Sequence, residues 1–504
     1  MPLIGDTGRC GRCLLLALIT VLAACAAPAP RDGGEQAQQL LEERGLTIPV
    51  PVEQFVGPLT RAQAVQAALL HHPDIRAEYA RLDIAAADVV RASELLNPLL
   101  RVSWLDVSTG GTELTLGLSQ SLASLMLRPV RQRIAETDHA LAVLALADAL
   151  QVLALDTEAA WYALVAAEQR LQVQTWAAQT ADWSWQLAER FAQAGNITPL
   201  EQAQHARAAA EAELQRIAAE RSRDRARNDL AISLALPHER WSVPASLPLP
   251  TPAIDPDIVI ARALAQHPDL QRLSLRQARL AGRLDEAGAS RWLDGASIGA
   301  ERERRAGERG VGPTAAVRAP LWNRPKGELL ALAAQQRVLE EEEASLRLQL
   351  PILLRRQLTE IVQLRAGIAV REVRLLPALA AEVEARQQLV NFMLDGVFNL
   401  LSTKHDELHG WLAQIDALDS YWQHEVVLAR TAGLAITNTG PRVLDLAPIA
   451  PRAPDVDHSQ HHGHGSATTA DQDGEHGQHA HPEPEPAADD DDSHHGHHRH
   501  GERN

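Results

Sequence analysis

Residues 97–122 read NPLLRVSWLDVSTGGTELTLGLSQSL, two runs of alternating character around a Ser-Thr-Gly-Gly turn. In the second run Leu114, Leu116 and Leu118 fall on one side, and Thr115, Gly117 and Ser119 on the other. Successive strand side chains face opposite ways, so the stretch predicts a β-hairpin with one apolar and one polar face. Ala/Leu-rich stretches of helical character flank it. A lone hairpin is marginal in water, so the apolar face requires a partner.

Downstream the chain repeats itself. His72-Pro73-Asp74 returns as His267-Pro268-Asp269, 195 residues on, each opening a helix, over about 74–96 and 269–291. A second strand pair follows at about 295–304 and 311–320, where Val311, Ala315, Val317 and Ala319 alternate with Gly312, Thr314, Ala316 and Arg318. A long helix follows each pair, over about 129–194 and 327–394, the second interrupted at most by Pro351 and Pro377. In the first, Leu146, Leu150, Leu153, Thr157, Ala160, Leu164, Ala167 and Leu171 form a heptad seam. Phe191-Ala-Gln-Ala-Gly195 returns as Phe392-Met-Leu-Asp-Gly396, 201 residues on. Two shorter helices follow, one opened by Thr198-Pro199 and reaching about 236, the other reaching about 432. The repeats are 59–250 and 251–440, with 237–256 as a Pro-rich linker. Thr60 is placed to cap the helix that opens the first repeat.

A helix of about 66 residues reaches roughly 100 Å, and the helix before each hairpin stacked on the helix after the turn spans the same length. Strands of about 10 residues suit a tilted bilayer crossing. Four strands cannot close a barrel, and an open sheet edge cannot stand in lipid. Three chains would pool twelve. Thr115, Gly117, Ser119, Thr314 and Arg318 would then line water, and the Leu/Val/Ala face would meet lipid. Soluble hairpins packed on helices are the alternative, and Trp104 is the one aromatic residue suggesting a girdle at the membrane surface.

The formal net charge of −17 argues against nucleic-acid partners, and 3% aromatic residues suits long helices packed through small side chains. At the N-terminus Arg9 and Arg12 precede an apolar run at 14–22, and Leu22-Ala23-Ala24-Cys25 resembles a bacterial lipoprotein signal. That resemblance implies removal of 1–24, lipidation of Cys25 and an extended tether over 25–58, with Ala26 in place of Asp resembling lipoproteins sent to the outer membrane. Cys10 and Cys13 would leave with the signal, so no disulfide framework or thiolate zinc site remains.

Over 59–436 the chain resembles the TolC-like outer membrane efflux family. The resemblance rests on the duplication, LTRAQAVQAALLHHPD (59–74), the turn FAQAGNITPLEQAQ (191–204) and APLWNRPKGELLALAAQQ (319–336). The last resembles the P-L-F-N-R-x-x-G segment of the heavy-metal cation efflux branch, with Trp322 in the Phe position and Pro325-Lys326 in the variable pair. The resemblance implies a mainly α fold with membrane β. Its assembly would be a homotrimeric α-helical barrel topped by a 12-stranded β-barrel, with four strands from each chain. It implies an outer membrane channel fed by a periplasmic adaptor and an inner-membrane resistance-nodulation-division cation pump, with no catalytic residues and no cofactor. Gly195, Asn196, Asp395 and Gly396 would lie at the periplasmic gate. Three copies of Asp395 would form a cation-favouring ring there, unless that carboxylate serves only its own turn.

From about Pro441 the composition changes, and 441–504 is expected to be a disordered His/Asp-rich tail. Its histidines are His458, His461, His462, His464, His476, His479, His481, His494, His495, His497, His498 and His500, with acids at 489–492. Closely spaced imidazoles and carboxylates suit labile binding of a divalent transition metal, of unspecified identity. Two other readings remain. One is a drug-efflux or type I secretion duct of the same fold, and the other a lipid-anchored periplasmic metal-binding coiled-coil scaffold. The sequence has no Gly-rich phosphate loop, HExxH or GxSxG, and His205, His405 and His409 read as lone residues on helices.

Overall fold

Short polar caps and prolines set the helix ends. The structure, a computed structural model, describes residues 33–46, 58–107, 111–237, 241–250, 255–305, 308–318, 326–435 and 439–449. Cys25, the Asn-Arg-Pro of 323–325 and all twelve tail histidines lie outside them. In chain order the elements begin with α1 (Gly33–Glu43), α2 (Arg61–His71), α3 (Pro73–Ser93), β1 (Leu99–Val107) and β2 (Gly111–Ser121). A one-turn α4 (Leu122–Met126) leads into α5 (Arg128–Gln193), α6 (Pro199–Leu234) and β3 (Pro248–Pro250). The second repeat holds α7 (Pro256–Gln266), α8 (Pro268–Leu293), β4 (Ser297–Arg305), β5 (Glu308–Ala316), α9 (Lys326–Val370), α10 (Leu376–Asn391) and α11 (Val397–Ala432), followed by β6 (Thr439–Val443).

The duplication is legible in the caps. Thr60 closes a capping box with Gln63 at the start of α2. His72 and His267 each accept a hydrogen bond at Nδ1 from a backbone amide, Asp74 N–H at 3.3 Å and Asp269 N–H at 3.1 Å, with proline as the first helical residue. The far turns match at an offset different from the sequence expectation. The left-handed residue after α5 is Gly195 (φ 75°), and the one after α10 is Met393 (φ 59°). The N-caps Thr198 and Gly396, and the left-handed helix ends Ala235 and Gly433, keep the same spacing. The Phe-x-x-x-Gly likeness is therefore out of register with the backbone by three residues.

Four other expectations change. Within the stretch expected as an extended tether, α1 is a helix whose Ala37 and Leu41 are buried against α5. Arg44 just beyond it donates to Asp148 Oδ1 at 2.8 Å, and Asp148 also pairs with Arg272 of α8. The supposed linker and the first residues of the supposed tail pack together, since β3 pairs antiparallel with β6 and Trp241, Leu247, Leu249, Leu444, Leu446 and Ile449 are buried. Alternate apolar residues among the prolines made that burial possible. Pro351 lies inside α9 without ending it, whereas Pro377 is preceded by a π-helical turn, Arg371–Leu375. Proline lacks an N–H for the carbonyl of Val373 and crowds it, and a wider turn accommodates both. The buried side of α5 is also broader than a seam, taking in Leu155, Trp161, Tyr162, Val165 and Ala166. That breadth follows from its neighbours, for α1, α2, α3, α6, α8 and α11 all pack on it.

The largest core joins the two repeats at mid-height. Tyr162 of α5 stacks on Trp422 of α11 with ring centroids 4.7 Å apart and planes 5° apart. Trp422 Nε1–H donates to the Pro248 carbonyl at 2.9 Å, and Trp161 Nε1–H donates to the Leu59 carbonyl at 2.9 Å. Burial pushes the Tyr162 phenol well above its ordinary range. An 18-residue window of α5 is apolar enough to cross a bilayer, but half of it is buried in this body.

Candidate functional site: the four-stranded sheet and the opposite helix turns

The sheet has the order β1-β2-β4-β5, all antiparallel, so β1 and β5 are its edges. Register assigns the faces. Ser103 opposes Thr115, Arg101 opposes Gly117 and Leu99 opposes Ser119; across β4 the same face carries Gly299, Glu301 and Glu303, and across β5 Gly312 and Thr314. Thr115, Gly117, Ser119 and Thr314 therefore share the polar face expected of them. Arg318 does not continue it, because β5 ends at Ala316 and Arg318 Nη1 donates to Asp294 Oδ2 at 3.1 Å at the hairpin base. Gly299 is required where it stands, since a Cβ there would lie 2.2 Å from the Leu118 carbonyl oxygen.

The opposite face carries Leu100, Val102, Trp104, Leu116 and Leu118, all exposed. It also carries Arg302, Arg304 and Arg309, which sequence reading missed. The signal was present in Glu301-Arg302-Glu303-Arg304, where strict alternation sends acids to one face and bases to the other. At the base, Leu122 N–H donates to the Ala296 carbonyl at 2.9 Å and ties the two hairpins together.

At the opposite ends of the long helices, the first turn closes with Asn196 N–H donating to the Phe191 carbonyl at 2.8 Å around Gly195. Thr198 and Glu201 form a reciprocal capping box. In the second turn Asp395 takes that role. Its Oδ1 accepts from Gly396 N–H at 2.7 Å and Asn399 Nδ2–H at 2.6 Å, and its Oδ2 from Arg386 Nη1–H at 2.9 Å. These bonds, led by Asn399, hold its carboxyl below the usual carboxylate range. The geometry thus gives this carboxylate a turn-closing role, with a cation already beside it.

The three helical histidines are not isolated. His205 of α6 stacks on Phe398 of α11 at 4.4 Å and meets Ser184 Oγ at 3.0 Å, while Phe398 also contacts Phe191 of α5 at 5.7 Å. His405 and His409 lie edge to face at 4.4 Å, and burial, then His409, lower the His405 pKa. Among the described residues no three His, Cys, Asp or Glu side chains converge to hold a metal.

Neither a family model nor a curated protein sequence matches the chain. Solved structures do. CusC, studied for its folding and transmembrane channel formation, aligns with a TM-score of 0.59 at 15% identity over 77% of this chain and 98% of its own. The outer membrane protein VceC of Vibrio cholerae aligns with 0.60 at 15% identity over 75% and 97%. The open state of the MtrE outer membrane channel of Neisseria gonorrhoeae gives 0.58 at 16% identity over 74% and 88%. This is the TolC-like outer membrane channel fold. In this chain the four-stranded sheet and the turns at Gly195 and Met393 lie at opposite ends of the long helices. Among the described residues, each repeat contributes two strands to the four-stranded sheet.

Proposed function

We propose that the chain is the outer-membrane duct of a tripartite efflux system, a homotrimer that exports heavy-metal cations delivered by an inner-membrane cation pump through a periplasmic adaptor. The observation that carries the channel reading is the sheet, four strands with both edges unpaired among the described strands and an exposed face of Leu100, Val102, Leu116 and Leu118. Such a sheet is stable in lipid only when closed by other copies, and three copies supply twelve strands. Lipidation at Cys25 would hold each protomer at the outer membrane. The exposed apolar tip Phe392-Met393-Leu394 offers the adaptor a docking surface.

The likeness to CusC, VceC and MtrE is equal in strength, so cargo is argued from sequence alone, from the APLWNRPKG segment and the tail histidines. Purified protein should run as a heat-resistant trimer and conduct in planar bilayers; a non-conducting monomer would remove the channel reading. In a host lacking its own duct, expression should raise tolerance to divalent metals more than to drugs, and deleting 455–504 should reduce the metal effect while leaving trimers intact. Equal tolerance with and without the tail would leave the duct and discard the tail's part in it. For the gate, Asp395→Ala should change conductance or cation selectivity if the carboxylate rings the constriction, and change neither if it only closes its turn.

A further inference from the structure

Across β1, β2, β4 and β5, the apolar face is layered by depth. One row reads Leu100, Leu118, Ala300, Pro313; the next Val102, Leu116, Arg302, Val311; and the next, toward the hairpin tips, Trp104, Leu114, Arg304, Arg309. The three arginines are exposed, and no hydrogen bond or ion pair to a described residue engages them. Arg304 stands directly opposite Arg309, an arrangement of like charges that opposes pairing unless an anion lies between them. Glu301 and Glu303 face the other way, and the one acid on this face among the described strand residues is Asp106, at the far edge strand beyond Trp104.

A lipid-facing arginine is far costlier at the bilayer midplane than near the interface, so the two rows that carry these arginines belong toward the headgroup level. Trp104, 73% exposed in the row of Arg304 and Arg309, is the residue type that marks that level. Planar guanidinium groups bind phosphate bidentately, and two adjacent rows supply three of them. We propose that Arg302, Arg304 and Arg309 form a binding site for the phosphate groups of a phosphorylated lipid headgroup in the leaflet around the hairpin tips. The site rests on the outer-membrane reading above.

The test uses the full-length protein in lipid nanodiscs of phosphatidylcholine with or without diphosphorylated lipid A, reading retained lipid by native mass spectrometry and channel conductance in matched bilayers. The wild type should retain lipid A at least about tenfold over R302Q/R304Q/R309Q, with equal conductance, partial rescue by the triple lysine variant, and no displacement by excess inorganic phosphate. Equal retention by the glutamine variant overturns the site, as does displacement by inorganic phosphate. Trimer loosening in both R309Q and D106N with unchanged lipid retention also overturns it, and assigns Arg309 to Asp106 of a neighbouring copy. Wild-type protein that forms no channel sinks the outer-membrane reading and this site together, whereas conduction without lipid preference sinks the site alone.

Discussion

In the first repeat α5 runs 66 residues unbroken and turns into α6 through Gly195, then Thr198 with its capping box. In the second the same length is divided by the π-turn at Arg371–Leu375. It turns through Met393 in a left-handed conformation and enters α11 at Gly396, which has no side chain to cap with. The first end has the residues its backbone conformations favour. The second has them displaced, with glycine where a cap is wanted and methionine where glycine is wanted, and Asp395 compensates from one residue upstream. One fold is thus built twice with different local security, and the second repeat holds the more compliant far end. Core placement is asymmetric in the opposite sense, because the second repeat supplies Trp422 to the joint between the halves.

The sharpest way to break this comparison is at that joint. Trp422→Ala removes the stack on Tyr162 and the bond to Pro248 and should cost about 3–5 kcal/mol. At the corresponding place on α6, counted from the two N-caps, Asp224 is exposed, and Asp224→Ala should stay within about 0.5 kcal/mol. Denaturant melts in detergent measure both; similar losses would mean that the two helices share the core equally. Next come the glycine positions. A Cβ on Gly433 would lie 2.2 Å from Pro268 Cδ, whereas one on Gly195 meets nothing within 4 Å. Gly433→Ala should therefore cost about 2–4 kcal/mol, left-handed strain plus overpacking, and Gly195→Ala only the strain of about 1–2 kcal/mol. Equal costs would deny the packing part of that argument.

The hairpins, the long helices and the duplication were legible in the sequence because each rests on a local period. Leu114, Leu116 and Leu118 share a face by strand geometry alone, and Thr60 and Thr198 cap by chemistry within four residues. What escaped was set by contact or by geometry without a period. Trp241 and Leu247 lie among prolines that read as linker, and only a cluster that reaches Leu444, about two hundred residues on, makes them core. The register of the second turn is not legible in the sequence, because Phe392 resembles Phe191 while the backbone equates Gly195 with Met393. Arg302 and Arg304 escape a sequence reading because alternating charges resemble a solvated strand until pairing shows which face each one joins.

The turns themselves give a smaller test. Met393→Gly removes left-handed strain and should stabilise by about 1 kcal/mol. It should also slow hydrogen exchange at Leu394 and Gly396 toward that of Asn196 and Thr198. No change would mean that the exposed methionine (93%) is held by contacts outside one protomer.

Acid offers the finest discrimination. The Asp395 pKa is depressed by Asn399, the Gly396 amide and Arg386, so the carboxylate contributes stability above its unfolded value of 3.8 and loses it as pH falls through the lower folded value. Glu201 in the first turn is depressed as well, chiefly by the Thr198 backbone N–H. The consequences differ, because protonating Glu201 leaves Gly195 and the Thr198 hydroxyl, which still accepts from Glu201 N–H at 3.2 Å. Protonating Asp395 weakens the link to Arg386 and the best acceptor for Gly396, with no second cap behind it. Hydrogen exchange followed from about pH 5 to pH 2 should therefore loosen the second turn more than the first. Asp395→Asn, which keeps an acceptor but cannot titrate, should flatten the profile of the second turn alone. If both turns loosen together in the wild type, the second repeat owes its closure to packing rather than to Asp395, and the compliance assigned to it belongs to the π-turn instead.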